Sequence, residues 1–190
     1  METLLQQIID FATRAHSSQR RKFADEPYIN HPVRVMKICR QHTHDMCVLS
    51  AALLHDVLED TSTSKEQIHD FLKTVMSHED CIRTLKLVVE LTDVYTKGQY
   101  PDLNRRQRKA KEFERLAGVS AQAQNIKYAD IIDNSQDISN AEAEFARIAL
   151  HEYKTLVRVM VAGSAELRKK AGETVAVYLT ALKQTNTQKK

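Results

Sequence analysis

An all-α fold follows from two properties of this sequence of 190 residues. It carries only four glycines and three prolines, too few for the turns a sheet needs, and its apolar residues recur three and four apart along most of its length. A hydrophobic content of 42% is enough to bury one sizeable core, so a single compact domain is expected over residues 1–183, followed by a polar, disordered tail at 184–190.

The first helix is expected to take Thr3 as its N-cap, to bury Leu4, Leu5, Ile8, Phe11, Ala12 and Ala15, and to end near His16. A basic loop over 19–30 leads to His31, which the following Pro32 marks as the N-cap of the second helix. The third helix is predicted as one rod over 45–60, with Met46, Leu49, Ala52, Leu53 and Val57 inward. Thr63 and Glu66 have capping-box spacing for a fourth helix bearing Ile68, Phe71, Leu72 and Val75. A fifth starts near Ser77 and turns Ile82, Leu85, Val88 and Val89 to the core. Gly98 and Pro101 mark a loop over 94–104, after which residues 105–111 form the strongest charge run. Gly118 closes that helix; the next contains Ile126, Asp130 and Asn134, and two more are expected over 141–169 and 172–183.

The net charge of +3 is modest, so nucleic acid is not an implied partner, and no segment has the length and apolarity of a membrane span. The N-terminus has no basic segment followed by an apolar signal core, and Cys39, Cys47 and Cys81 have no metal-like spacing. A reduced, cytoplasmic setting and a small-molecule partner are expected. Oligomeric state is not legible.

The chemistry concentrates in Ala51-Ala52-Leu53-Leu54-His55-Asp56-Val57-Leu58-Glu59-Asp60-Thr61. Two metal-type ligands end an apolar run, and two carboxylates follow four residues on, which places His55 with Glu59 and Asp56 with Asp60 on one helical flank. The dipeptide alone is weak, since His44-Asp45 and His69-Asp70 repeat it. His16, His42, His44, His69, His78 and His151 are expected to be structural or exposed. His31, His55, Asp56 and Asp130 together supply a mixed nitrogen and oxygen set, better suited to Mn²⁺, Mg²⁺ or Fe²⁺ than to a closed zinc site. Such an ion generates a nucleophile from water near neutral pH and polarises a phosphoryl oxygen. Glu59 and Asp60 then orient the water or shuttle its proton.

Arg21-Lys22, Tyr28-Ile29-Asn30-His31-Pro32, the 51–61 motif, Leu91-Thr92-Asp93 and Lys127-Tyr128-Ala129-Asp130-Ile131-Ile132-Asp133-Asn134 stand in the order of the RelA/SpoT-type HD hydrolases. The sequence resembles a stand-alone small alarmone hydrolase of that family over about residues 4–159. The resemblance implies a helical HD-domain metallohydrolase that uses Mn²⁺ to remove the 3′-pyrophosphate from guanosine tetra- or pentaphosphate. By position it implies His31, His55, Asp56 and Asp130 as metal ligands, Glu59 and Asp60 as the catalytic pair, and Arg21, Lys22, Asn134 and Tyr153 at the substrate. Ile132-Asp133 before Asn134 and Ser135-Gln136 after it depart from the family pattern. Two alternatives stand beside this reading. One is an HD phosphohydrolase on an adenine alarmone, the 2′-phosphate of NADPH or a nucleoside monophosphate; the other is a non-catalytic nucleotide-binding module.

Overall fold

A computed structural model describes residues 2–187. Its helices are α1 Glu2–His16, α2 Asn30–Arg40, α3 Met46–Leu54, α4 Val57–Asp60, α5 Lys65–Val75, α6 His78–Leu91, α7 Arg105–Ala117, α8 Ala121–Ile138, α9 Ala143–Val159 and α10 Ala165–Thr187. No strand occurs among the described residues, and the single bridge pairs Arg20 with Pro27. The chain divides into two compact units: Met1–Arg21 with Asp25–Asp93, and Lys22–Ala24 with Val94–Lys190.

In the first unit α3 is the central helix, packed by α1, α2 and α6. Every residue from Cys47 to Leu54 is buried, as expected of a helix apolar on all sides. Burial of Leu49, Leu53 and Leu54 contributes about 1.5–3 kcal/mol each. Asp45 caps α3 by accepting from the Cys47 N–H, and its other oxygen holds Arg83 at 2.7 Å. Phe11 of α1 stacks on Phe71 of α5 at 4.2 Å.

Several expected boundaries shift. Thr3 lies within α1 rather than capping it. The capping box of α5 is Ser64 with Gln67, one residue beyond Thr63 and Glu66: Gln67 Oε1 accepts from the Ser64 N–H and Ser64 Oγ accepts from the Gln67 N–H. Ile82 and Val89 are 47% and 39% exposed, since the apolar stripe of α6 is wider than the face its neighbours cover. The predicted rod over 45–60 is broken at His55–Asp56, where α3 ends and the short α4 begins. His55 Nδ1 lies 2.8 Å from the Ala52 carbonyl and occupies it as α3 ends; the Asp56 carbonyl then accepts from Glu59 and Asp60 N–H to open α4.

In the second unit α8 is central, with α9 and α10 against it. The expected helix over 141–169 is interrupted between Val159 and Ala165. Gln124, fully buried, accepts from the Ala162 and Gly163 N–H groups and donates to the Leu116 and Ala117 carbonyls, while Tyr128 donates to Met160 O at 2.7 Å. A Cβ at Gly163 would meet Asn125 Oδ1 and the Tyr128 ring at 2.7 Å, so the turn passes α8 at a separation only glycine permits. Gly172, expected to start a helix, lies inside α10. That helix also runs four residues past Lys183 to Thr187, through segment 184–187 of the expected tail; residues 188–190 lie outside the described residues.

The charge run 105–111 is partly structural. Arg105 makes a bidentate pair with Glu152 at 2.7 and 3.0 Å, Arg108 donates to the Leu103 carbonyl, and Lys111 lies over the Tyr95 ring. Glu112, 2% exposed, holds the neighbouring loop by accepting from the Val94 and Tyr95 N–H groups at 3.0 Å, with Arg115 as counter-ion. Glu112→Ala strips two N–H groups and a guanidinium of their acceptor, so a loss of about 3 kcal/mol is expected in chemical denaturation. Glu112→Gln, which keeps one acceptor oxygen, should lose less.

Candidate metal centre

His31, His55 and Asp56 are brought together in the first unit by the first turn of α2 and the α3–α4 junction. Their ligand atoms all lie within 4.8 Å of one another. Donors about 2.1 Å from one ion stand within about 4.2 Å of each other, so a few tenths of an ångström of closure suffice. His31 is not the N-cap the sequence suggested: Ile29 holds that position, and His31 is one residue inside the helix with Pro32 still in the first turn. That shift buries the imidazole fully rather than leaving it at an open helix mouth.

The tautomer of His55 is set by its surroundings. Nδ1 donates to the Ala52 carbonyl at 2.8 Å, which leaves the Nε2 lone pair toward Asp56 Oδ1, 3.2 Å away. His31 Nε2 stands 3.5 Å from the other Asp56 oxygen, and the two imidazoles meet edge to face at 5.2 Å. Two imidazoles 2% exposed or less and a carboxylate share one point, and one ring is locked for coordination by its outer nitrogen. These residues fit a divalent cation.

Glu59 and Asp60 follow on α4. Glu59 accepts from the Asp93 N–H at 3.2 Å through Oε2. Asp60 is tied twice: its backbone carbonyl accepts from Gln19 Nε2 at 2.6 Å, and its carboxylate lies 2.6 Å from the Tyr28 hydroxyl. Partial desolvation lifts the Asp60 carboxyl above the usual carboxylate range; the Tyr28 bond opposes that rise and the Asp56 charge adds to it. The same hydroxyl is 2.8 Å from Asp56 Oδ2, so the Asp56 and Asp60 side chains converge although the expected single helix is broken between His55 and Val57. Burial, with these carboxylates beside it, drives the Tyr28 hydroxyl well above its ordinary pKa and keeps it protonated.

Tyr28, Gln19 and His16 were not among the sequence-predicted site residues. His16 is 2% exposed, stacks on Tyr28 at 4.5 Å and binds Gln19 Oε1 through Nδ1 at 2.9 Å. Only the position of Tyr28, three residues before His31, could have signalled this.

The remaining predicted residues divide between the units. Arg21 belongs to the first unit, where its guanidinium lies 5.4 Å from the Tyr28 ring centre. Lys22, Asp130, Asn134 and Tyr153 belong to the second. Lys22 sits 5.1 Å from the ring centres of both Phe23 and Phe145. Asp130 is 3% exposed, with Lys127 Nζ at 2.8 Å on one oxygen and Asn134 Nδ2 donating to the other at 2.5 Å. Its buried charge is therefore compensated along one face of α8. Tyr153 is half-buried on α9. No helix of the described residues is long and apolar enough to cross a membrane.

Comparison with known proteins identifies the family. The HD domain family matches residues 9–157, parts of both units. The human guanosine-3′,5′-bis(diphosphate) 3′-pyrophosphohydrolase MESH1 is 35% identical over 138 residues, 71% of this chain and 69% of that protein. Its Xenopus tropicalis counterpart is 34% identical over 144 residues, 74% and 73% of the two chains. A solved metazoan SpoT ortholog, described as hydrolysing ppGpp and acting in starvation responses, superimposes with a TM-score of 0.72 at 30% identity, covering 90% of this chain and 93% of its own. The chain belongs to the HD domain family, within its SpoT-like, MESH1-related branch.

Proposed function

We propose that the protein is a Mn²⁺-dependent hydrolase that removes the 3′-pyrophosphate from guanosine tetra- or pentaphosphate, giving GDP or GTP and pyrophosphate. The observation that carries this reading is the convergence of His31, His55 and Asp56, with Asp60 attached to Asp56 through one tyrosine hydroxyl. The relatives' named activity supplies the substrate. Residues 1–183 act as one hydrolase domain in this reading, which the family match across both units supports.

His31, His55, Asp56 and Asp130 hold the ion. On α8 the bond from Asn134 to one Asp130 oxygen, with Lys127 beside the other, would orient that carboxylate. The ion supplies Lewis-acid polarisation of a phosphoryl oxygen and of water. Hydrolysis breaks the ester bond between the ribose 3′-oxygen and phosphorus; water gives its oxygen to phosphorus, and a proton ends on the 3′-oxygen. Glu59 and Asp60 take the proton from water and deliver one to the leaving oxygen. Arg21 and Lys22 neutralise phosphate, while Asn134 and Tyr153 contact the nucleotide. Cys39, Cys47 and Cys81 are buried thiols outside any disulfide, which supports a reduced, cytoplasmic setting.

The test is a panel of guanosine tetraphosphate, its adenine analogue, NADPH and nucleoside monophosphates, incubated with Mn²⁺-loaded protein. Pyrophosphate release from the guanosine substrate is expected to dominate. Orthophosphate from NADPH or a monophosphate as the main product would overturn the assignment.

A further inference from the structure

Tyr28 lies outside every helix, yet its hydroxyl stands within hydrogen-bond distance of both a proposed metal ligand and a proposed acid/base residue. It stands 2.8 Å from Asp56 Oδ2 and 2.6 Å from Asp60 Oδ2. The ring that carries it is fixed on several sides. His16 stacks on it at 4.5 Å, the Arg21 guanidinium lies 5.4 Å from its centre, and the edge of His31 meets it at 6.0 Å.

Its backbone is fixed as well. The Tyr28 N–H donates to the Gln19 carbonyl at 2.9 Å, and the Gln19 side chain joins His16 Nδ1 to the Asp60 carbonyl. The end of α1, the loop and α4 thus form one closed network within the first unit.

We propose that Tyr28 is a positioning residue: its hydroxyl sets the orientation of the Asp56 carboxylate for the metal and the placement of Asp60 relative to that ligand. The role rests on the hydrolase reading for its effect on turnover, but not for its effect on metal binding. Two carboxylates side by side repel, and α4 is a four-residue helix too short to fix a side chain by itself. The Tyr28 oxygen between them fixes their separation, and its single proton is shared or bonded to one carboxylate oxygen at a time. Supporting groups of this kind change metal affinity or activity by about 10- to 100-fold when removed.

Tyr28→Phe keeps the ring, its stack on His16 and the packing, and removes a single oxygen. Mn²⁺ titration followed by the free-ion EPR signal is expected to show a Kd raised about tenfold. With guanosine tetraphosphate at saturating Mn²⁺, kcat should fall by about tenfold while KM stays within about twofold, because the hydroxyl is not assigned to the substrate. A Kd for Mn²⁺ within about twofold of wild type would overturn the proposal whatever the kinetics show. So would a Tyr28→Phe chain that fails to fold, since the hydroxyl would then serve the fold rather than the site. Weakened Mn²⁺ binding by Tyr28→Phe, together with a wild type that hydrolyses no nucleotide, would instead sink the substrate reading and leave the positioning role standing.

Discussion

Asp56→Ala is expected to abolish Mn²⁺ binding and to lower pyrophosphate release at least a thousandfold. Asp56 has one oxygen 3.2 Å from His55 Nε2 and the other 3.5 Å from His31 Nε2, so it is the residue through which the three-ligand cluster is connected. An ion of this kind supplies several kcal/mol of transition-state stabilisation, and about 4 kcal/mol corresponds to a factor of about a thousand. The fold should survive, because the Asp56 side chain is 17% exposed and lies in the junction between two helices rather than in the apolar core. A clean separation of these effects is available in thermal unfolding. A ligand that binds only the native state raises stability by about 2.7 kcal/mol at one hundred times its Kd, so Mn²⁺ should raise the melting temperature of wild type. It should leave that of Asp56→Ala unmoved. His55→Ala should behave in the same way, with an added cost from losing the bond to the Ala52 carbonyl.

Glu59→Gln and Asp60→Asn are expected to fail at a different step. Each keeps the size of the side chain and removes its ability to carry a proton, so turnover should drop about 10²- to 10⁴-fold while Mn²⁺ binding stays close to wild type. In Glu59→Gln the new amide oxygen can still accept from the Asp93 N–H, and in Asp60→Asn an oxygen remains for the Tyr28 hydroxyl. Steady-state kinetics beside the EPR titration distinguish the classes: metal lost with activity for Asp56→Ala, metal retained without activity for the carboxamides. If Glu59→Gln and Asp60→Asn both turned over at the wild-type rate, the acid/base assignment would be wrong.

The helical class and the pairing of His55 with Asp56 at a helix end were legible because each rests on local signals, whereas the approach of His31 joins residues 24 positions apart. Apolar spacing predicts helices, and His55-Asp56 at the end of a fully apolar run stands out from His44-Asp45 and His69-Asp70. The break at His55–Asp56 was not legible, since Ala52, Leu53 and Val57 keep an inward pattern straight across it and the event that ends α3 is a side-chain bond to Ala52. The interruption between α9 and α10 depends on Gln124 and Asn125, almost forty positions earlier in the chain, which no local window contains. Tyr28 stands in the Tyr28–Pro32 motif, but its contacts with Asp56 and Asp60, 28 and 32 residues away, were not legible there. By contrast, the Lys127 partner of Asp130 stood at helical i,i+3 spacing and could have been anticipated.

The most direct test is the product balance of one reaction. Mn²⁺-loaded wild type is incubated with guanosine tetraphosphate, quenched with chelator and resolved by anion-exchange chromatography. GDP and pyrophosphate appearing in equal amounts is the predicted result. Intact guanosine tetraphosphate after long incubation with folded, metal-loaded protein, or orthophosphate as the only phosphorus product, would contradict it.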